Sequence, residues 1–563
     1  MQKMYLLLCL LSAIQALGQA PVSETIHVNS IEAKVWNNGS FFGYNNERSF
    51  KIPVSDEEGA ILQSVFKKVS PWLGAYDDFG NIKVSAIAAN GIKTDFAAGI
   101  PNIAGYDGFW KVSKAQIQAH WQDFTDNGVV DNPDDTILQW PGTRMVPIWS
   151  GASEPLVNTK LAPYFDFNSN NVYDPLQGDY PLPQLRGCHV PGIPDEIVFF
   201  TFHDQTLHPA SNGHPLNMQI LCTMWAYSCP EDPTFNNSIF MSLDYWNRGD
   251  PLDSIYTGIL MSLEIGEGDD DFIGCAPEEE IYFGYNGDSI DEDGFEEQVP
   301  LVGVFRFGIN ELPDISGFPS DLDNGCFMRV GEPSDPFPTA YPSSPQTYYG
   351  YLNGFWKDGT PLRSGGNGYH PLDTSAAVHF IYPDTPDNQT GWSEPSAGNT
   401  PGIRRALVSF RYPRMSYQER QRANYCFTWL RHPDSTYALS WAIEQLAYRK
   451  QVINTLIGLD KIVNVEPPPC IVGLNEPVNT LSIDTPTVTI SPNPVYDYLQ
   501  VSSSAEYVSQ LLITNLAGQV CYQSLFAHER SIYLNINLPP GIYFLTVLLE
   551  NNAGSIRKVM VVQ

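Results

Sequence analysis

Positive charge is what this sequence has least of. Across 563 residues, 31 Lys and Arg face 63 Asp and Glu, for a net charge of −32. A surface of that sign repels phosphate backbones, which excludes nucleic acid as a partner. Charge of either sign is sparse at 17%, whereas 43% of residues are apolar and 12% aromatic. Such a chain buries large cores, and its length calls for more than one domain. Beyond the N-terminus no window reaches the roughly 18 apolar residues that span a bilayer, so no transmembrane segment is expected. None of the nine cysteines forms C-x-x-C, which removes the zinc-ribbon and thioredoxin-like readings. Also missing are G-x-S-x-G, S-x-x-K with K-T-G, H-E-x-x-H, a P-loop and G-x-G-x-x-G. A glycosidase needs only two carboxylates at a suitable separation, so that route stays open.

The first residues, MQKMYLLLCLLSAIQALGQA, place Lys3 before an apolar run from Met4 to Leu11 and then small residues. This is the pattern of a secretory signal. Cleavage after Gly18 sets Ala16 and Gly18 at the small-residue positions, whereas cleavage after Ala20 would leave Pro21 first. Residues 1–18 are therefore assigned as the signal. Export permits disulfides. Besides Cys9 there are Cys188, Cys222, Cys229, Cys275, Cys326, Cys426, Cys470 and Cys521. Cys222 and Cys229 are close enough to pair across a turn, but spacing does not fix connectivity, and buried thiols are the other use.

Proline (45) and glycine (44) are plentiful, and the runs between them are short and β-like. EIVFFTFH, NMQILCTMWAYSC and SIFMSLDYW are nearly all apolar, as strands between two layers are. Helical patterns are few. SKAQIQAHWQDF, Ser113–Phe124, starts at a Ser cap. From Thr436 to Leu459, the residues Leu439, Ile443, Leu446, Ile453 and Leu456 recur at helical spacing behind Asp434 and Ser435. The fold class is mainly β: a multi-sandwich cargo over residues 19–465, of one or two subdomains, with few helices. Three consecutive prolines in EPPPC mark a linker over 466–482. Residues 483–563 then form an immunoglobulin-like β-sandwich, with LLITNLAGQVCY as one hairpin and GIYFLTV and RKVMVV flanking ENNAGS as another.

SPNPVYDYLQV, ITNLAGQVCYQ, LPPGIYFLTV and the terminal KVMVVQ resemble, in order and position, the type A C-terminal sorting domain of type IX secretion substrates in Bacteroidetes. The resemblance implies export by a signal peptide, recognition by the type IX secretion machinery, and passage through the outer membrane. Such domains are commonly cleaved, with the cargo attached to surface lipopolysaccharide or released.

Candidate chemistry is concentrated in acidic loops. In FDFNSNNVYDPLQGDYP, Asp166, Asn168 and Asn170 stand at positions one, three and five, the Val172 carbonyl at seven and Asp174 at nine, the spacing of a calcium loop. Asn171 replaces the usual glycine at six and Gln177 the glutamate at twelve, with Asp174 or Asp179 able to supply the missing charge. The same side chains would equally form a series of Asx turns. In GEGDDDFIGCAPEEEIYFGYNGDSIDEDG, Asp269, Asp270 and Asp271 lie one strand from Asn286, Asp288, Asp291 and Asp293. Buried together they need a cation; exposed, water and salt screen them. Asp269, Asp270, Asp271 and Asp288 are the calcium candidates there, and Asp321, Asp323 and Asn324 suit a turn. His203, Asp204, His208 and His214 match no named zinc spacing, and hydrogen-bonding loop histidines are the commoner use. In Ala340–Gly359, Tyr348, Tyr349, Tyr351, Phe355 and Trp356 either stack on a ligand or plug the core beneath the loop; the plug is the expectation.

GFWKVSKAQIQAH, LQWPG, LAPYFDFNSNNVYDPLQGDYP, DDFIGC, YNGD and GNTPGIRRALVSF also look like a recurrent group of large secreted Bacteroidetes proteins with the same sorting domain and no assigned enzyme activity. Ala276 departs from the acidic residue expected after DDFIGC. The expected function is a non-enzymatic module, surface-attached or released, that binds a glycan or a surface protein and is stiffened by structural calcium. The alternatives are a secreted glycan hydrolase with paired carboxylates and a structural surface-layer component.

Overall fold

The computed structural model describes residues 21–471 except 56, 58, 89, 90, 148–155, 186, 187, 293, 309–324, 389, 432–438, 457–467 and 469. It also describes 488–561 except 492–497, 504–506, 516–519, 536, 537, 540 and 550–553. The expected signal segment, most of the expected linker, the expected helix caps Asp434 and Ser435, and Asp293, Asp321, Asp323 and Asn324 lie outside the described residues. Strand makes up 41% of the structure and helix 13%. The chain divides into two compact units, Met1–Leu474 and Asn475–Gln563.

The first unit is built on two large antiparallel sheets. One has eight strands, with Leu62–Asp77, Leu252–Leu263 and Arg405–Met415 at its centre. The other has nine, with Glu196–His203, Met218–Ala226, Ser238–Asn247 and Arg420–Leu430 adjacent in that order. Side chains alternate across a strand, so an all-apolar strand must be covered twice. That is the arrangement of Glu196–His203. Val198, Phe200 and Phe202 enter the core shared with the eight-stranded sheet, where Phe41, Trp72, Ile259 and Val408 meet them. Ile197 and Phe199 enter a second core on the opposite face. Each of these side chains contributes on the order of 1.5–3 kcal/mol through burial.

Helices and irregular segments close the second core. Helix Lys114–Asn127 starts at Ser113, whose Oγ accepts from the Gln116 N–H while the Gln116 side chain reaches back, and it stops at Gly128 in the left-handed region. Ile117, His120, Trp121 and Phe124 form its buried face. Ser113→Ala removes the cap acceptor and is expected to cost about 1 kcal/mol, read as a lower urea midpoint with an unchanged slope. Helix Leu439–Leu456 buries Ala442, Leu446, Arg449, Val452 and Ile453. The guanidinium of Arg449 donates to the Trp429 carbonyl at 2.9 Å.

The expected core plug is present. Helix Pro345–Leu352 starts at a Ser344 capping box and buries Tyr348, Tyr349 and Tyr351. Tyr348 meets Trp72 edge-on at 4.8 Å, and Tyr349 meets Tyr76 at the same distance. Trp356 is buried as well, whereas Phe355, expected in the same plug, is exposed beyond the helix end. One pairing is corrected: Cys229 is bonded to Cys470, 241 residues away, and Cys222 is a free buried thiol. Cys222 lies within the strand Met218–Ala226 and faces the first core, whereas Cys229 lies past its end in the second. Opposite faces of one sheet cannot share a disulfide.

The second unit is a small sandwich of three and four antiparallel strands. Val488–Ser491, Tyr498–Ser503 and Ser531–Asn535 form one sheet; Val520–Glu529, Val508–Asn515, Gly541–Leu549 and Gly554–Val561 form the other. Leu499, Val501, Ile532 and Leu534 meet Leu511, Ile513, Leu545 and Val547 between them. Every second residue faces inward, so each strand is read from its alternation. Both expected hairpins are formed.

Candidate cation loop and adjoining groove

Segment 164–181 is a short hairpin stem carrying a long loop. Tyr164–Phe165 pairs with Tyr180–Pro181, and the Phe165 and Tyr180 rings stack at 4.8 Å. Ser169 and Asn171 have positive φ, 56° and 60°. These are positions four and six of the loop, where a left-handed residue turns the chain sharply enough to gather side chains one, three and five. Asp166 accepts from the Asn170 N–H at 3.1 Å and the Asn171 N–H at 2.7 Å. Asn168 accepts from Asn170 N–H, and Asn170 from Val172 N–H. The Asx turns are thus formed. They do not exhaust the oxygens, because each carries two lone pairs.

The acidic end of the loop is deeper. Asp179 is fully buried and accepts from Phe167 N–H at 2.8 Å and Asp174 N–H at 2.9 Å, while the His120 ring donates to its carbonyl at 3.0 Å. Burial, with Asp174 nearby, pushes the Asp179 carboxyl up to about 7. Asp174 accepts from the Asn170 amide at 3.1 Å through one oxygen, and its other oxygen is buried without a partner. Gly178 closes the loop at φ 98°, where a Cβ would lie 2.6 Å from the Phe124 ring. Only glycine fits both constraints. Val172 is exposed.

A narrow groove lies on the nine-stranded sheet beside the hairpin stem. Pro163 and Gln184 flank the stem, and Thr223, Ser242, Asp244 and Arg422 rise from the strands beneath. Asp244 and Arg422 are directly opposed on neighbouring strands, and the guanidinium donates to one Asp244 oxygen at 3.0 Å. The other Asp244 oxygen is buried without a partner. Gln184 donates to the Tyr164 carbonyl at 2.8 Å and accepts from Lys160 at 2.7 Å, which ties the groove to the loop. Sequence reading missed these residues because they lie far apart in the chain. A faint signal exists: Ser242 and Asp244 interrupt an apolar strand at a spacing of two.

The other sequence candidates are placed as follows. Asp269 and Asp288 are exposed, Asp270 is half-buried and Asp271 is fully buried. His208 uses both ring nitrogens, on the Val84 and Asp204 carbonyls, each at 2.8 Å. His203 accepts from the Gln205 N–H, and burial, followed by nearby Arg248, holds its pKa down at about 4. This loop is a hydrogen-bonded plug. Among the described His, Cys, Asp and Glu residues, one group of three has ligand atoms within 4.8 Å of one another: Cys229, Glu231 and Cys470. The disulfide already occupies both of its sulfurs.

The small second sandwich is a secretion module. Residues 489–563 match the family model of the secretion system C-terminal sorting domain. The chain therefore carries a type A sorting domain of the type IX system, engages that machinery, and is secreted to the cell surface or outside. No curated protein matches the chain. Among the described residues no helix is long and apolar enough to cross a membrane.

Proposed function

We propose that the cargo is a non-enzymatic binding module for a glycan, with calcium in the Asp166–Asp179 loop holding the hairpin beside its groove. The observation that carries the reading is Asp244, a carboxylate held by Arg422 with its other oxygen unpartnered, in the lining of a cleft that also holds Trp225, Leu161, Leu221 and amide, hydroxyl and proline groups. A sugar hydroxyl is the donor such an oxygen accepts from, and the Arg422 and Gln184 side chains suit neighbouring hydroxyls. Asp166, Asn168, Asn170, Asp174 and Asp179, with the Val172 carbonyl, would supply hard oxygen ligands of the kind calcium takes. Asp244 is the single carboxylate among the described lining residues, whereas glycoside hydrolysis uses two. This supports binding over cleavage.

The test is a glycan array probed with the purified protein in calcium and again in EDTA. Binding that EDTA abolishes, and that Arg422→Met weakens about tenfold or more, is the expected result; tenfold corresponds to about 1.4 kcal/mol. Glycan binding that survives both changes would remove the groove and the loop from the account.

A further inference from the structure

A cluster of buried oxygens lies at the edge of the nine-stranded sheet, where strand Asp271–Ala276 pairs with Ile281–Asn286. Asp271 and Asn286 are directly opposed in that register. Asp271, Ile273 and Cys275 share a face of their strand, and the latter two belong to the first core, so Asp271 points the same way. Asp271 is fully buried and Asn286 is 7% exposed. Asp271 accepts from the Ile265 N–H at 3.1 Å through one oxygen; its other oxygen is buried without a partner. The Asn286 side-chain oxygen is also buried without a partner, while its amide donates to the Ile290 carbonyl at 3.0 Å. One oxygen of Asp270, whose side chain interacts with Asn286, is the third in that condition.

These three atoms are all acceptors. A buried acceptor without a donor is costly, and more so if charged, so the three call for a partner. The surrounding charges make the need greater. Asp291, fully buried, stands close enough to raise both Asp270 and Asp271, and Asp288 adds to the field at Asp270. Asp291's own oxygens accept from Glu267 N–H and Phe295 N–H, which ties it to the 265–268 turn that also holds Asp271. Gly266 is required there: a Cβ would lie 1.6 Å from an Asp291 oxygen. The cation facing the cluster is Arg404. Its charge partly offsets Asp271, but its hydrogen bonds go to Glu394 at 2.7 Å and the Thr400 carbonyl, so it donates to none of the three oxygens.

We propose that Asp270, Asp271 and Asn286 bind a calcium ion, at a site distinct from the Asp166 loop. Oxygen-only donors select a hard cation, and the remaining coordination positions are open to carbonyls and water. The ion would join the two strand ends to the Gly266 turn and so brace the edge of the sheet.

Calorimetric titration of the chelated full-length protein with calcium chloride tests this, paired with melting curves in EDTA and in calcium. Asp271→Asn keeps an acceptor for the Ile265 N–H and removes the charge. It is expected to take up one calcium fewer per chain than the unaltered protein and to melt no lower than it in EDTA. In calcium a hundredfold above Kd, the unaltered protein should gain about 3 °C or more beyond what the variant gains. Asp270→Asn should reproduce the lost stoichiometry. Asp166→Asn reports on the other loop, so the two sites fail or stand separately. Unchanged calcium stoichiometry in both the Asp270 and Asp271 variants would overturn the proposal. So would a variant that melts below the unaltered protein by the same amount in EDTA as in calcium, because Asp271 would then be only a hydrogen-bond acceptor.

Discussion

Asp204→Ala is expected to destabilise the cargo by about 3–5 kcal/mol, the range seen when a buried, hydrogen-bonded charge network is broken. Asp204 is fully buried in the loop that follows strand Glu196–His203. Ser85 Oγ, Leu216 N–H and Met218 N–H all donate to it, at 2.7, 2.6 and 2.7 Å. Alanine leaves three donors without an acceptor, and the plug made by His208 loses the turn that holds it. Asp204→Asn should cost less, because one acceptor oxygen remains. Burial raises the Asp204 pKa, so the folded state holds the proton more tightly than the unfolded chain. The resulting stability is fully present below the unfolded value of about 3.9 and is lost as pH rises through the raised folded value. The asparagine variant should lack that dependence. Urea unfolding across this pH range checks both statements; equal midpoints for the unaltered protein and the alanine variant would show that water satisfies the donors equally well.

Breaking the Cys229–Cys470 bond is the second large change, expected to cost about 2–5 kcal/mol. The bond closes a loop of 241 residues, so its loss frees much of the unfolded cargo. It also releases the end of the cargo: Ile471 is buried in the second core, and Lys114 donates to the Cys470 carbonyl at 3.1 Å. Cys470→Ser, Cys229→Ser and the double variant should all melt lower by a similar amount, because each removes the same crosslink. Reduction of the unaltered protein should bring it to the same melting temperature. If the reduced and oxidised forms melt together, the crosslink does not contribute to cargo stability. An exported protein meets the oxidising conditions that form such a bond.

Residues that act through local pattern were legible. The apolar strands around Phe199, Leu221 and Phe240 announced burial on both faces, because a side chain's direction follows from its parity in a strand. Ser113 announced its helix, because a cap acts within three residues. The tyrosines at 348, 349 and 351 were expected to plug the core, and helix Pro345–Leu352 buries them. The loop from Asp166 to Asp179 was legible as a constellation, and the positive φ at Asn171 is what its position-six placement asks for. Within Gly266–Gly294, by contrast, the sequence showed an acidic cluster without telling its members apart. Strand register places Asp271 and Asn286 inside and leaves Asp269 and Asp288 in water.

By itself the sequence determined the class of the fold, the route of export and the loops where Asp and Asn side chains gather. Each depends on interactions between near neighbours or on a motif whose residues are contiguous. The tertiary structure alone decided that Cys470 reaches Cys229, that Gln184, Asp244 and Arg422 share one groove, and that three oxygens from Asp270, Asp271 and Asn286 are buried without donors. These depend on which strands pair and in what register. That is set by the burial of whole sheet faces against one another, a free energy summed over residues hundreds of positions apart that no local window contains.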